Sequence, residues 1–237
     1  AEKVFERVDP ELRWHSHARE GEWRDGGLLA EVAGSAASIL AAERVGPSGT
    51  VIETDFAPQM VDTSRRRARE LGLDNVETRT LDAEQMDLAD DSVDGILCRW
   101  GFMLMLDPLA ALKECRRVLK DGKHLALSVW GTPEKNPWVT VTGMTMVQLG
   151  YEPGGDPFGP GGMFSLAEPD KLRSVLGDAG FTDVEVEEMP VDWSYPSFDV
   201  AWDFMTEVAG AIAAVVKQLP SEKVEEVRVA LEKNLEP

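Results

Sequence analysis

Four short segments of the chain, each directly after an apolar run, carry residue types that could bind a ligand containing a ribose. A carboxylate such as that of Asp55 can accept hydrogen bonds from both ribose hydroxyls. Small residues such as Gly34 let the backbone approach a ligand, and a helix that begins behind them offers free N–H groups to a carboxylate or phosphate. The four segments are Glu31, Ala33, Gly34 and Ser35; Asp55; Asp82, Ala83 and Glu84; and Arg99, Trp100 and Gly101.

The elements that must position these segments follow from strand and helix signals that alternate between residues 28 and 130. Such alternation predicts an α/β fold, a Rossmann-like three-layer α/β/α sandwich with a mostly parallel sheet. In sheets of this kind ligands bind beyond the carboxyl ends of the strands, which is where all four segments fall. The predicted strands are 28–33, 50–54, 76–81, 93–98 and 124–130, and the helices between them are 35–45, 57–71 and 107–119.

The chain changes character after residue 130. Residues 131–164 contain many Gly, Pro, Met and aromatic residues, which suits a lid over an apolar substrate pocket. We expect Trp138 and Phe164 to form walls of this pocket, although each could also be a core residue beneath a loop.

Further along, Ser165 and Glu168 have the spacing of a capping box and predict a helix that runs to Ala179 and ends at Gly180. The alternation from 181 to 189 is typical of a half-buried strand. Helices are expected near 198–217 and 221–234.

Three ordered motifs resemble those of class I S-adenosylmethionine-dependent methyltransferases of the ubiquinone/menaquinone biosynthesis type. The run 53–60 (ETDFAPQM) resembles the D-x-S/A-P-x-M element of that family. The run 81–86 (LDAEQM), followed by DSVD at 91–94, looks like its third and fourth motifs. The run 116–123 (RRVLKDGK) is similar to its R-V-L-K/R-P-G-G run, and the whole resemblance spans about residues 28–130.

The resemblance implies S-adenosylmethionine as the methyl donor and S-adenosylhomocysteine as the product. It also implies that Asp55 holds the ribose hydroxyls and that Asp82 accepts a hydrogen bond from the adenine amino group. Residues around Gly34 would face the methionine portion of the cofactor, and Arg99 to Gly101 would lie beneath it. The other expected cofactor contacts are Glu31, Ala33, Ser35, Phe56, Met60, Ala83 and Glu84. Met60 could instead be a core residue, and Arg99 an ion-pairing surface residue.

The first motif departs from the family pattern, because only Gly34 remains where the family has an acid followed by a G-x-G pattern. A Cβ in that loop could obstruct the cofactor. One alternative hypothesis is therefore a catalytically impaired binding protein that keeps the methyltransferase fold. Another is a nicotinamide-dependent oxidoreductase. Two observations argue against it: the chain lacks the G-x-G-x-x-G motif, and Asp82 would have no role in such an enzyme.

No linker or repeat divides the chain, so we expect a single domain with four parts. These are an N-terminal helical cap (1–27), a cofactor-binding core (28–130), a lid (131–164) and a C-terminal part (165–237). The family's sheet usually closes with a seventh, antiparallel strand. No good candidate follows residue 196, and we therefore expect this strand to be missing.

The resemblance also implies that the N-terminal segment folds over the substrate, which makes His17 a candidate substrate contact; a solvated helix face is the other interpretation. No residue is identified as catalytic. Methyl transfer can be accelerated largely by positioning, so that a strong catalytic base is optional. Cys98 and Cys115 have no metal-ligand spacing, and we expect buried thiols and no metal.

The composition limits the class of partner. The chain of 237 residues has 43 acidic and 24 basic residues and a formal charge of −19, a field that repels nucleic acid. Its apolar runs are shorter than the roughly 20 residues of a spanning helix. We therefore expect a soluble, cytoplasmic protein that acts on a small-molecule acceptor, apolar or aromatic in character, and the composition gives no indication of the oligomeric state.

Overall fold

The computed structural model describes residues 27–32, 36–151, 154–191, 194–207 and 210–235. The chain divides into two compact units. The sheet unit comprises residues 16–131 and 157–186, and the helical unit comprises residues 1–15, 132–156 and 187–237. The expected helical cap lies, except for residue 27, outside the described residues. The expected organisation as a single domain stays a prediction.

Five parallel strands form the sheet, in the order β3-β2-β1-β4-β5. They are β1 (Gly27–Val32), β2 (Thr50–Asp55), β3 (Val76–Thr80), β4 (Val93–Arg99) and β5 (Leu119–Ser128). The α-helices within the described residues are α1 (Ala36–Val45), α2 (Pro58–Glu70), α3 (Pro108–Val118), α4 (Pro137–Gln148), α5 (Pro169–Asp178), α6 (Phe198–Glu207), α7 (Gly210–Val216) and α8 (Ser221–Leu235). The predicted α/β fold is confirmed.

The signals at the ends of α2 and α3 act as predicted. Asp107 caps α3 by accepting a hydrogen bond from the Ala110 N–H at 3.0 Å, and Pro108 occupies the first turn, where its missing N–H leaves no bond unmade. Gly72 closes α2, because its positive φ of 66° turns the chain so that the Leu73 N–H donates back to the Ala68 carbonyl at 3.0 Å.

Strand β5 begins earlier than predicted. Its predicted start was His124, whereas the strand runs from Leu119, directly after α3. Val93 pairs with Leu119 but Gly95 pairs with His124, so β5 bulges between these two registers. Gly122, with a φ of 71°, lies in this bulge. The Asp–Gly pair therefore makes a bulge inside one strand rather than the predicted turn before it.

The strand predicted at 181–189 is absent from the described part of the chain. The alternation that suggested it is real, since Phe181, Val184 and Val186 pack against the core while their neighbours are exposed. Alternating burial requires only one covered face, whereas a strand also needs hydrogen bonds to a neighbouring strand. The sheet of described residues thus ends at β5, and no seventh strand occurs among them.

The capping box predicted at Ser165 is also wrong. Glu168 occupies the N-cap position of α5, and no side chain caps that helix. The Ser165 hydroxyl is buried and donates to the Met103 carbonyl at 2.7 Å. This bond ties the loop before α5 to the segment after β4.

The core of the sheet unit is built around β4 and α3. Ile96, Phe102 and Leu112 are almost fully buried, and the burial of each such side chain stabilises the fold by roughly 1.5–3 kcal/mol. Cys98 and Cys115 belong to the same cluster, as their predicted burial requires. A second cluster packs the alanine-rich α1 against Val51 of β2.

The helical unit has a core of its own, formed by Met146 of α4, Val216 of α7 and Val227 and Leu231 of α8. Helix α4 was not predicted. Its Val and Thr residues favour strands over helices, and for this reason the Asn136–Pro137 pair was not recognised as the start of a helix. Among the described residues, no helix is long and apolar enough to cross a membrane.

Candidate functional site

The carboxyl ends of the five strands form one edge of the sheet. Val32 of β1 pairs with Arg99 of β4, which pairs with Ser128 of β5, and Asp55 of β2 pairs with Thr80 of β3. The chain leaves β3 at one side of the sheet and returns as β4 beside β1. The switch point between β1 and β4 is where ligands bind in folds of this type.

The first predicted segment is only partly described. Glu31 lies in β1 with its backbone between Thr54 of β2 and Cys98 of β4, one residue before the strand ends. Ala33, Gly34 and Ser35 lie outside the described residues.

Asp55 ends β2 and is half-buried. Its Oδ1 accepts a hydrogen bond from the Ala57 N–H at 2.7 Å, which holds the carboxylate over the start of α2. Burial raises the pKa of this carboxyl, and the Ala57 hydrogen bond partly offsets the rise. The Leu81 N–H donates to the Asp55 carbonyl, so the loop after β3 begins beside the same residue.

The two apolar residues predicted to contact adenine follow Asp55 closely. Phe56 is 73% exposed, an unusual state for a Phe side chain, and lies directly beside the half-buried carboxylate. Met60 is half-buried in the first turn of α2, where its N–H donates to the Ala57 carbonyl. The structure therefore brings Asp55, Phe56 and Met60 together at one strand end.

The loop after β3 carries Asp82, Ala83 and Glu84. Asp82 is exposed, and its Oδ1 accepts from the Glu84 N–H at 2.9 Å, while Ala83 is buried. The Glu84 carboxylate accepts from the Asp107 N–H at 3.0 Å. Glu84 thus joins this loop to the start of α3, a role that its position in the sequence did not reveal.

Arg117 and Glu114 of α3 hold the same loop further along. Arg117 donates to the carbonyls of Met86 and Leu88, at 2.9 and 2.7 Å, and forms a two-bond pair with Glu114. Glu114 in turn accepts from the Met86 N–H. These bonds hold the Glu114 pKa below its usual range and raise that of Arg117. Sequence reasoning recognised the arginine pair as a motif but not as the anchor of this loop.

The segment after β4 is an aromatic cluster. Trp100 stacks on Trp130, with ring centroids 4.6 Å apart and planes 12° from parallel, and both rings are half-buried. The Arg99 guanidinium carbon lies 5.2 Å from the centre of the Trp100 ring, and burial lowers the Arg99 pKa. Gly101 begins a 3₁₀ turn, Phe102–Leu104. Trp130 was not predicted as a site residue, because its position beside Trp100 depends on the β4–β5 register.

A buried carboxyl group lies two residues before Asp55. Glu53 of β2 is 4% exposed. Its pKa is raised, chiefly by burial, while the hydroxyls of Ser64 in α2 and Ser38 in α1 lower it in part and the charge of Asp55 raises it further. This end of β2 therefore carries two carboxyls whose pKa is raised, in each case chiefly by burial.

The predicted substrate residues are placed unequally. His17 lies outside the described residues. Trp138 is half-buried in α4 of the helical unit. Phe164 belongs to the sheet unit and is 7% exposed, packed against the more exposed Phe158 at a centroid distance of 5.9 Å. Phe158 thus presents more surface to a ligand than Phe164 does.

A groove between α2 and β3 lies on the flank of the sheet rather than at the strand ends. It has a volume of about 360 Å³ and is lined in part by Arg65, Arg69 and Arg79. Arg65 pairs with Asp62, and Arg79 pairs with Glu77. Because two of these three arginines are already paired and the groove lies away from the strand ends, the strand ends remain the better candidate site.

Comparison with known proteins matches the part of the chain that carries these segments. Residues 31–127 match a family described as a methyltransferase domain. A demethylmenaquinone methyltransferase of Listeria welshimeri is 34% identical over 104 residues, which are 44% of this chain and 44% of that protein. Another from Bacillus velezensis is 28% identical over 145 residues, 56% of this chain and 62% of that protein. The chain therefore spans less than two thirds of the length of these relatives.

A solved structure supports the same fold. A SAM-dependent methyltransferase from Aquifex aeolicus matches with a TM-score of 0.55 and 23% identity, covering 80% of this chain and 83% of that one. The matched family segment contains all the cofactor contacts expected from the sequence. Residues 31–127 thus match a methyltransferase domain and are similar in sequence to demethylmenaquinone methyltransferases, and the chain shares its fold with a SAM-dependent methyltransferase.

Proposed function

We propose that this chain transfers the methyl group of S-adenosylmethionine to a small acceptor, apolar or aromatic in character. The observation that carries the proposal is the convergence of Asp55, the loop from Asp82 to Glu84 and the Arg99–Trp100 segment on one sheet edge. The same edge holds the switch point of the fold.

The residues at this edge suit the cofactor. The half-buried Asp55 carboxylate would accept from the ribose hydroxyls, since its Oδ1 is already oriented by the Ala57 N–H. The exposed Phe56 side chain offers an apolar surface that an adenine ring would cover. Asp82 and the Ala83 backbone would contact the edge of the adenine ring. Glu31 and the segment from Ala33 to Ser35 would contact the methionine portion.

The chain's own contribution to the reaction is to bind, orient and exclude water. S-adenosylmethionine supplies an electrophilic methyl group, and the transfer requires an acceptor held in line with it. Effective concentration alone provides a large acceleration for such a step. The aromatic rings after β4 and β5 and the apolar residues near Phe158 would supply a dry surface for the acceptor. The relatives are named as methyltransferases of demethylmenaquinone, and this supports an aromatic acceptor for this chain.

The test is product formation. The purified chain is incubated with S-adenosylmethionine and a panel of phenols, naphthols and reduced quinones, and S-adenosylhomocysteine and methylated products are measured by mass spectrometry. We expect methylation of at least one aromatic acceptor and its loss in Asp55→Asn. Binding of the cofactor without turnover on any acceptor class would contradict the acceptor proposal.

A further inference from the structure

Trp100 has a backbone conformation that a bulky residue rarely adopts. Its φ is 61°, in the left-handed region. Among the described non-glycine residues only Asp91 and Asp183 share a positive φ, and aspartate tolerates that region far better than tryptophan does. If this position served packing alone, Gly or Asn would fill it without strain.

Several contacts hold Trp100 in place. Its N–H donates to the Ser128 carbonyl of β5 at 2.9 Å. The two residues that follow Gly101, Phe102 and Met103, are almost fully buried and anchor the chain beyond it. The ring itself is fixed by the stack on Trp130 and by the Arg99 guanidinium. Strain of this kind persists only where the surroundings enforce it, and it concentrates at functional sites.

The stacked pair lies beside the switch point between β1 and β4, where ligands bind in folds of this type. Trp100 follows the end of β4 and Trp130 follows the end of β5, beyond the carboxyl edge. Both rings keep exposed surface, whereas Cys98, two residues before Trp100 in β4, is buried. A rigid pair of parallel indoles favours a third flat ring over a saturated ring of equal size, because stacked aromatic pairs gain energy beyond their buried area.

We propose that the Trp100–Trp130 pair positions a planar acceptor ring, and that the left-handed backbone of Trp100 fixes the tilt of this wall. Both are positioning residues that select the acceptor by shape. The inference rests on the proposed methyl transfer but concerns the acceptor side of the site, apart from the contacts to the cofactor's adenosine.

The experiment compares 2-naphthol with its saturated analogue, decahydro-2-naphthol, by calorimetric titration with and without saturating S-adenosylhomocysteine. In the wild type we expect 2-naphthol to bind more tightly than the analogue. In Trp130→Leu, which keeps apolar bulk, we expect 2-naphthol affinity to fall by about 3- to 10-fold. Trp130→Phe should restore most of that loss, and both variants should bind S-adenosylhomocysteine as the wild type does.

Two variants at Trp100 separate strain from the ring. Trp100→Gly and Trp100→Ala both remove the indole and should weaken 2-naphthol binding equally. Trp100→Gly should melt at a higher temperature than Trp100→Ala, because glycine adopts the positive φ without strain. A cooperative melting transition in each variant serves as the control that it is folded.

The proposal is overturned if 2-naphthol fails to bind, if it binds no better than its analogue, or if Trp130→Leu binds it as tightly as the wild type does. Failure of the wild type to bind S-adenosylhomocysteine would contradict the proposed function instead. In that case the titrations without S-adenosylhomocysteine still decide the role of the tryptophan pair.

Discussion

The Asp55 carboxylate holds the turn from β2 into α2, and we propose that the same carboxylate binds the ribose of the cofactor. Its Oδ1 already accepts from the Ala57 N–H. Replacement by Ala removes both the turn contact and the charge. Replacement by Asn keeps an oxygen for the Ala57 N–H and removes only the charge, and it is therefore the cleaner probe of ligand binding.

Cofactor affinity should depend on pH through Asp55. Burial raises the pKa of this carboxyl, so it gains a proton at a higher pH than an ordinary Asp, whose pKa is about 3.9. Only the charged form accepts strongly from both ribose hydroxyls. We therefore expect S-adenosylhomocysteine affinity to fall as the pH is lowered. The fall should begin at a higher pH than it would for an aspartate with an unperturbed pKa. Titrations at successive pH values should show this fall in the wild type and a flat profile in Asp55→Asn; identical profiles would contradict it.

Glu53 should make the fold less stable at neutral pH. Its raised pKa means that the folded chain binds the proton more tightly than the unfolded chain does. Stability is then lost as the pH rises from the ordinary Glu pKa of about 4.3 through the raised value. Glu53→Gln should raise Tm at pH 7 by about 2–4 °C, equivalent to about 1 kcal/mol for a chain of this size.

The stabilisation by Glu53→Gln should disappear at acid pH, where Glu53 is already protonated. Glu43→Gln, at an exposed position of α1, is the matched control and should leave Tm almost unchanged. Melting curves by circular dichroism measure both variants. A lower Tm for Glu53→Gln at pH 7 would mean that the buried carboxylate stabilises the fold.

At the scale of elements, helix α3 holds the loop after β3 through its side chains. Arg117 and Glu114 bind three backbone groups of that loop, and Glu84 binds the first turn of α3. Charged pairs on protein surfaces usually contribute little, but here the charges also satisfy backbone carbonyls and an N–H group. The position of Asp82 and Ala83 therefore depends on α3.

Arg117→Ala should lower the free energy of unfolding by about 2 kcal/mol, because the carbonyls of Met86 and Leu88 lose their donor. It should also weaken S-adenosylhomocysteine binding by loosening the loop. Arg117→Lys keeps the charge but cannot make the same set of bonds. Its free energy of unfolding should therefore lie between those of the wild type and Arg117→Ala. Urea denaturation and calorimetry measure these effects. An Arg117→Ala variant no more affected than Arg66→Ala, at an exposed pair of α2, would refute the anchoring role.

Local sequence signals predicted the elements whose ends are set by neighbouring residues. Asp107 and Pro108 fixed the start of α3, and Gly72 the end of α2. Signals that depend on residues distant in sequence led to wrong predictions. The alternation at 181–189 reports a covered face and says nothing of a pairing strand, and Ser165 bonds to Met103 rather than to its own helix.

For the whole molecule, the order of the motifs was enough to predict that these segments meet, because in a parallel sheet the segments that follow each strand lie at one edge. Asp55, Asp82 and Trp100 are brought to that edge by the strands that precede them. Sequence could not predict the left-handed backbone of Trp100 or its stack on Trp130, which both require β5 in register with β4. The order of the motifs also did not indicate which parts of the chain pack together in the helical unit, because these parts are separated in sequence.

The central claim is that this sheet edge binds the adenosine part of S-adenosylmethionine. Calorimetric titration with S-adenosylhomocysteine tests it most directly, in the wild type, Asp55→Asn, Asp55→Ala and the control Asp62→Asn, an exposed aspartate of α2. We predict micromolar binding by the wild type and the control, and a loss of at least about tenfold in both Asp55 variants, the equivalent of one charge-assisted hydrogen bond. No binding by the wild type, or equal binding by the Asp55 variants, would contradict the account.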